Sequence, residues 1–139
     1  MPAWLSRLLP DPPPLGKRGE HAAARYLRRR GYRVVARGRR GRLGELDLVA
    51  VWRKQTVVFV EVKTRRNRRA GSPAEAVSAE QRQRILRGGL EFLKRHDLLD
   101  YPSRFDVIAI VWPPGARRPE SIEHFENALQ PDDAGQFYA

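Results

Sequence analysis

The sequence predicts one α/β domain, built in the order α-β-β-β-α-β around a mixed sheet. Three observations carry that expectation. Two short β-branched segments, Gly44-Glu45-Leu46-Asp47-Leu48-Val49-Ala50-Val51 and Val57-Val58-Phe59-Val60-Glu61-Val62-Lys63, flank the polar stretch Trp52-Arg53-Lys54-Gln55-Thr56, which is the pattern of a hairpin. A long helical pattern then precedes the apolar run Phe105-Asp106-Val107-Ile108-Ala109-Ile110-Val111-Trp112. A helix feeding a buried strand favours a right-handed crossover, with that strand parallel to 57–63. Finally, 139 residues are the length of one domain, large enough to bury a single core.

Taken in order, residues 1–15 read as an extended arm, because Pro10, Pro12, Pro13 and Pro14 break the apolar stretch that begins at Trp4. Residues 16–129 form the domain and 130–139 a frayed tail. Residues 16–30 predict a helix: Ala22, Ala23, Tyr26 and Leu27 recur at helical spacing and Gly31 stops it. Glu20 lies beside that apolar stripe, where its spacing alone reads as a first-turn glutamate complementing the helix dipole. Tyr32-Arg33-Val34-Val35-Ala36 is the first strand. It runs into a Gly/Arg loop, in which Arg39, Arg40 and Arg42 are candidate phosphate contacts because glycine permits close approach and arginine supplies charge. Arg65, Arg66, Arg68 and Arg69 form a second basic loop directly after the hairpin. Ser72-Pro73-Ala74-Glu75 and Ser78-Ala79-Glu80-Gln81 are capping patterns, predicting a short turn at 73–77 and then a helix to about His96. Gly88-Gly89 inside that helix points to close packing on the sheet. Residues 121–125 complete the sheet as an edge strand.

The hairpin holds the chemistry. Side chains alternate faces along a strand, so Glu45, Asp47, Val49 and Val51 share one face of their strand, and Val57, Phe59, Glu61 and Lys63 share one face of theirs. If Val51 pairs with Val57, Asp47 stands opposite Glu61 and Glu45 opposite Lys63, with Cβ atoms of such pairs about 5 Å apart. Two carboxylates so placed repel each other and resist desolvation, and either Lys63 or a divalent cation can compensate. A structural ion pair at the sheet rim and a metal site both remain open from spacing alone.

The bulk composition sets the classes of partner. Hydrophobic residues make up 41% and charged residues 31% of the chain, a globular balance, and no apolar run approaches a membrane span. The first residues do not read as a signal peptide and there is no cysteine, so a cytoplasmic protein without disulfides or thiolate zinc sites is expected. The formal net charge is +11, much of it arginine, which favours a polyanion. DNA comes first, with RNA possible and a membrane surface disfavoured because no basic amphipathic helix stands apart from the core. His21, His96 and His124 share no ligand spacing.

The element order, with acids on a central hairpin, resembles the PD-(D/E)xK nuclease superfamily. More closely, the chain resembles the YraN family of small bacterial proteins over residues 16–129. The resemblance rests on Arg18-Gly19-Glu20-His21-Ala22-Ala23, Gly44-Glu45-Leu46-Asp47-Leu48-Val49, Phe59-Val60-Glu61-Val62-Lys63-Thr64-Arg65, Ala76-Val77 and Arg104-Phe105-Asp106-Val107. It implies a restriction endonuclease-like core with helices on both faces of the sheet. It also implies a Mg²⁺- or Mn²⁺-dependent endonuclease acting on DNA, branched or structured DNA included. Asp47 and Glu61 would be metal ligands with the Val62 carbonyl as a third oxygen, Lys63 would act on the attacking water or the phosphate, and Glu20 would complete the site. The chain departs from the family pattern at Gly38-Arg39, where an asparagine and an apolar or aromatic residue are usual. It departs again at Gln81, where a lysine is common and where the glutamine reads as a cap. The rival expectations are a non-catalytic nucleic-acid binder on the same fold and a homodimeric assembly factor that buries the Trp4 arm.

Overall fold

A computed structural model describes residues 15–38, 46–69 and 77–130. The arm, the loop carrying Arg39, Arg40 and Arg42, Glu45, nearly all of the short turn at 73–77 and the tail beyond Gln130 lie outside the described residues. The elements are α1 (Leu15–Arg29), β1 (Arg33–Arg37), β2 (Leu48–Trp52), β3 (Thr56–Arg65), α2 (Ala79–Arg95), β4 (Ser103–Val111) and β5 (Ser121–Phe125). They follow the expected order and form one sheet, β1-β2-β3-β4-β5. Only β3 and β4 are parallel, as a helical crossover between them requires.

Each helix covers one face. α1 buries Ala23, Ala24 and Leu27 against Leu48, Ala50, Val58, Val60, Ile108 and Ile110. α2 buries Ile85, Leu86 and Leu93 against Val49, Phe59, Phe105 and Val107. The β3 residues alternate between these two cores, and that alternation fixes which face each charge occupies. α1 ends as read: Gly31 adopts φ 94°, and the Tyr32 N–H bonds back to Leu27 O at 3.0 Å.

Two features bring α1 and β1 to the end of the hairpin. Gly19 lies directly on the Thr64 side chain of β3, leaving no room for a Cβ. β1 carries a bulge at Val35: Val34 pairs with Ala50, but Ala36 pairs with Val49. The extra residue turns Ala36 onto the α2 face and Arg37 onto the α1 face. No glycine or proline marks this bulge in Arg33-Val34-Val35-Ala36-Arg37.

Gly89 seats α2. A Cβ there would stand 2.5 Å from the ring of Phe105 and 3.1 Å from that of Phe59, two rings that stack with centroids 4.9 Å apart. On a free helix Gly→Ala stabilises by about 1 kcal/mol. Gly89→Ala should instead destabilise by about 1–3 kcal/mol through overpacking. Urea denaturation checks this, and a stabilised variant would mean the helix stands clear of the sheet.

Candidate active site

The expected register holds: Val51 pairs with Val57, and the ladder runs to Leu48 and Val60. Asp47 is the next residue out, just beyond the β2 ladder. Its side chain takes over where backbone pairing stops, as Oδ2 accepts the Val62 N–H at 2.8 Å. This bond orients the carboxylate across the end of the hairpin. The N–H and C=O of one strand residue project to the same side, so the Val62 carbonyl points the same way.

The Asp47 carboxyl group lies beside that of Glu61, and Glu20 of α1 also approaches Asp47, close enough that Asp47 raises the pKa of both. Three carboxyl groups thus stand in a row with Asp47 in the middle. Glu20 is the sixth residue of α1, beyond its first turn, so capping the dipole is not its role, contrary to its reading from spacing alone. Glu61 is 5% exposed. Burial and then the Asp47 charge push its pKa up to about 8, against the opposing pull of Lys63. Burial and Asp47 also raise Glu20, with the nearby Arg37 working in the other direction. Carboxyl groups this close retain protons in place of the positive charge they lack.

The cation at hand is Lys63, two residues along β3 from Glu61 on the same face. Its Nζ lies 3.3 Å from Glu61 Oε1. Gln81 ties the two together: its Nε2 donates to Glu61 Oε1 at 3.1 Å and its Oε1 accepts from Lys63 Nζ at 3.2 Å. The cap reading of Gln81 is therefore half right. Its backbone N–H is capped by Ser78 Oγ at 3.1 Å, but its side chain enters the site instead of turning back to the helix start. Gln81 thus brings α2 into the site without adding charge.

Sequence reasoning also missed Arg37 and His21. Arg37 Nη1 donates to His21 Nδ1 at 2.9 Å, next to Glu20. Of the second basic loop, Arg65 is half-buried, whereas Arg66, Arg68 and Arg69 are exposed. Arg68 meets Glu120 at 3.3 Å. Asp106 has a different setting. It pairs with Val60 and so faces α1, away from Glu61. Arg104 Nε lies 3.0 Å from Oδ1, the Asn127 N–H donates to Oδ1 at 2.8 Å, and His124 Nε2 stands 2.7 Å from Oδ2. Burial would raise Asp106, but these hydrogen bonds outweigh it and hold the carboxyl below the usual carboxylate range. Asp106 is a buried anchor joining β4 to β5, not part of the carboxyl row.

Among the described residues, no three His, Cys, Asp or Glu side chains are grouped as a ready-made metal cluster. The donors fit a smaller demand. Magnesium takes one or two carboxylates and keeps its waters, and Asp47 and Glu61 supply two hard oxygen donors, the second with its pKa pushed up to about 8.

Residues 19–110 match the family model described as "Uncharacterised protein family UPF0102". The chain belongs to the UPF0102 family. It is 45% identical over 125 residues to a UPF0102 protein of Rhodopirellula baltica, covering 89% of this chain and 75% of the relative. It is 50% identical over 107 residues to one from Nocardia farcinica, covering 77% and 84%. A UPF0102 protein of Geobacter sulfurreducens is 48% identical over 117 residues, covering 84% and 88%. The family match spans Glu20, Asp47, Glu61, Lys63 and Gln81. Among the described residues of this UPF0102 chain, no helix is long and apolar enough to cross a membrane.

The protonated Glu61 sets a pH dependence. Its folded value, about 8, lies above the ordinary glutamate value of 4.5, so in that window the folded chain holds a proton that the unfolded chain has released. Stability without metal should therefore fall as pH rises toward 8, and beyond that the ionised, buried carboxylate opposes folding in full. Glu61→Gln should lose most of this slope and be more stable than wild type at pH 8.5. Urea midpoints at pH 5.5 and 8.5 measure both, and parallel behaviour of the two proteins would contradict the assignment.

Proposed function

We propose that this UPF0102 protein is a metal-dependent nuclease hydrolysing phosphodiester bonds in DNA. The observation that carries the proposal is the carboxyl row Glu20–Asp47–Glu61 with Lys63 attached at its end, set on a strongly basic chain. The resemblance to the PD-(D/E)xK superfamily, resting on the same residues, points in the same direction.

Asp47 and Glu61 would hold a Mg²⁺ or Mn²⁺ ion, with the Val62 carbonyl as a further oxygen and Glu20 acting through Asp47. The bound ion would lower the pKa of a water and offset charge on the phosphate. The chain's own residues do the rest. The Val62 N–H fixes the Asp47 carboxylate so that it need not reorganise. Lys63, held by Gln81 and Glu61, presents an ammonium group where negative charge builds up on the phosphate, or orients the attacking water. Gln81 keeps Lys63 beside Glu61 and limits its freedom to swing into solvent. Arginines of the 65–69 loop grip the flanking backbone.

The test uses purified protein with Mn²⁺ and labelled branched, flapped and single-stranded DNA. Wild type should cut, whereas Asp47→Ala and Lys63→Ala should lose at least about 100-fold in rate while still shifting the DNA. Product patterns identical in wild type and Asp47→Ala would assign the cutting to a contaminant and leave a binding protein. A second readout is independent of cleavage. Mn²⁺ should raise the melting temperature of wild type at pH 8 by several degrees and leave Glu61→Gln unmoved.

A further inference from the structure

β1 is the edge of the sheet, and a cleft of about 1280 Å³ runs beside it. One wall is α1, with Lys17 and Arg28. The other is the end of α2, with Phe92, Arg95 and His96. The floor is β1, with Val35 and Arg37. At one end lie Glu20 and Gly38. The Gly38 N–H bonds to the Asp47 carbonyl at 2.6 Å, so this end of the cleft adjoins the carboxyl row.

Its charge is one-sided. Among the described residues that line it, Lys17, Arg28, Arg37 and Arg95 face a single acid, Glu20, which suits a polyanion. The bulge at Val35 interrupts the regular edge that a peptide strand would pair with, and the same bulge turns Arg37 toward Glu20. His21 accepts one N–H of Arg37, and a guanidinium forks onto phosphate oxygens with its remaining donors. The cleft also offers faces for bases. The Phe92 and His96 rings lie 4.4 Å apart on its wall, and Val35 is 48% exposed on its floor. A duplex keeps its bases inside and has no use for such faces, whereas a single strand stacks on them.

We propose that this cleft is the path of a single nucleic-acid strand into the carboxyl site, with Arg37 taking the phosphate next to the one that is cut. The proposal rests on the nuclease reading for its destination. The path itself is tested by binding alone.

The experiment uses the full chain carrying Asp47→Ala, labelled oligothymidylate, the matching ribo-oligomer and a blunt duplex, each titrated at several salt concentrations. Adding Arg28→Gln and Arg95→Gln, two exposed positions far from the carboxyl groups, should weaken single-strand binding about tenfold and reduce its salt slope by about 1.4. Binding of the duplex should change less. Phe92→Ala should weaken single-strand binding at every salt concentration without altering the slope. Unchanged single-strand affinity in the double variant, or an equal loss on the duplex, would overturn the path. Loss of single-strand binding as expected, together with a wild type that never cuts, would keep the cleft and overturn the nuclease reading instead.

Discussion

Two carboxyl groups that would rather be apart are pressed together at the end of a hairpin. Two unit charges about 4 Å apart repel by about 4 kcal/mol at the effective dielectric of a protein surface, and burial of Glu61 adds to that. The sheet tolerates the contact because its register is set elsewhere, by four apolar pairs from Leu48–Val60 to Val51–Val57 and by Trp52–Thr56 at the turn. Sliding by one residue would send each side chain of the slipped strand to the opposite core, against the wrong helix. Packing thus holds the acids in place, and their chemistry is the consequence. The raised pKa of Glu61 relieves the repulsion, Lys63 and Gln81 brace one side, the Val62 N–H braces the middle, and Glu20 with Arg37 approaches from α1.

That approach depends on backbone closeness. Gly19 admits Thr64, and a Cβ on Gly38 would stand 2.5 Å from the Leu46 carbonyl oxygen. That tight contact joins the end of β1 to the entry to β2. The bulge does the remaining work by choosing the face of Arg37. Asp106 shows a different answer to a buried acid: with partners from Arg104, His124 and Asn127 it stays ionised and holds strands together, whereas Glu61 keeps a proton.

Much of this was legible in the residues. Alternation and β-branching located the hairpin, and the facing of Asp47 and Glu61 followed from one assumed pair. The apolar run after a helix implied the parallel strand, and Gly88-Gly89 implied close packing, which Gly89 makes on two phenylalanines. What could not be read depended on partners distant in sequence. Ser78 to Gln81 spells a capping box, but a glutamine side chain can turn back to its helix or outward, and only the position of β3 decides that. The bulge leaves no mark because Val35 has the same β propensity as its neighbours. Asp106 passes unnoticed within an apolar run, because its partner His124 is 18 residues away and the Tyr32 that meets Arg104 is 72 away.

The central claim is that a divalent cation and the Glu61 proton compete for the same carboxyl groups. Calorimetric titration of Mn²⁺ at pH 7, repeated in buffers of different ionisation enthalpy, counts the protons displaced on binding. One site on wild type that releases about one proton, and no such release from Glu61→Gln, is the expected result. Absence of binding to wild type, or binding that releases no proton and survives Glu61→Gln unchanged, would contradict it.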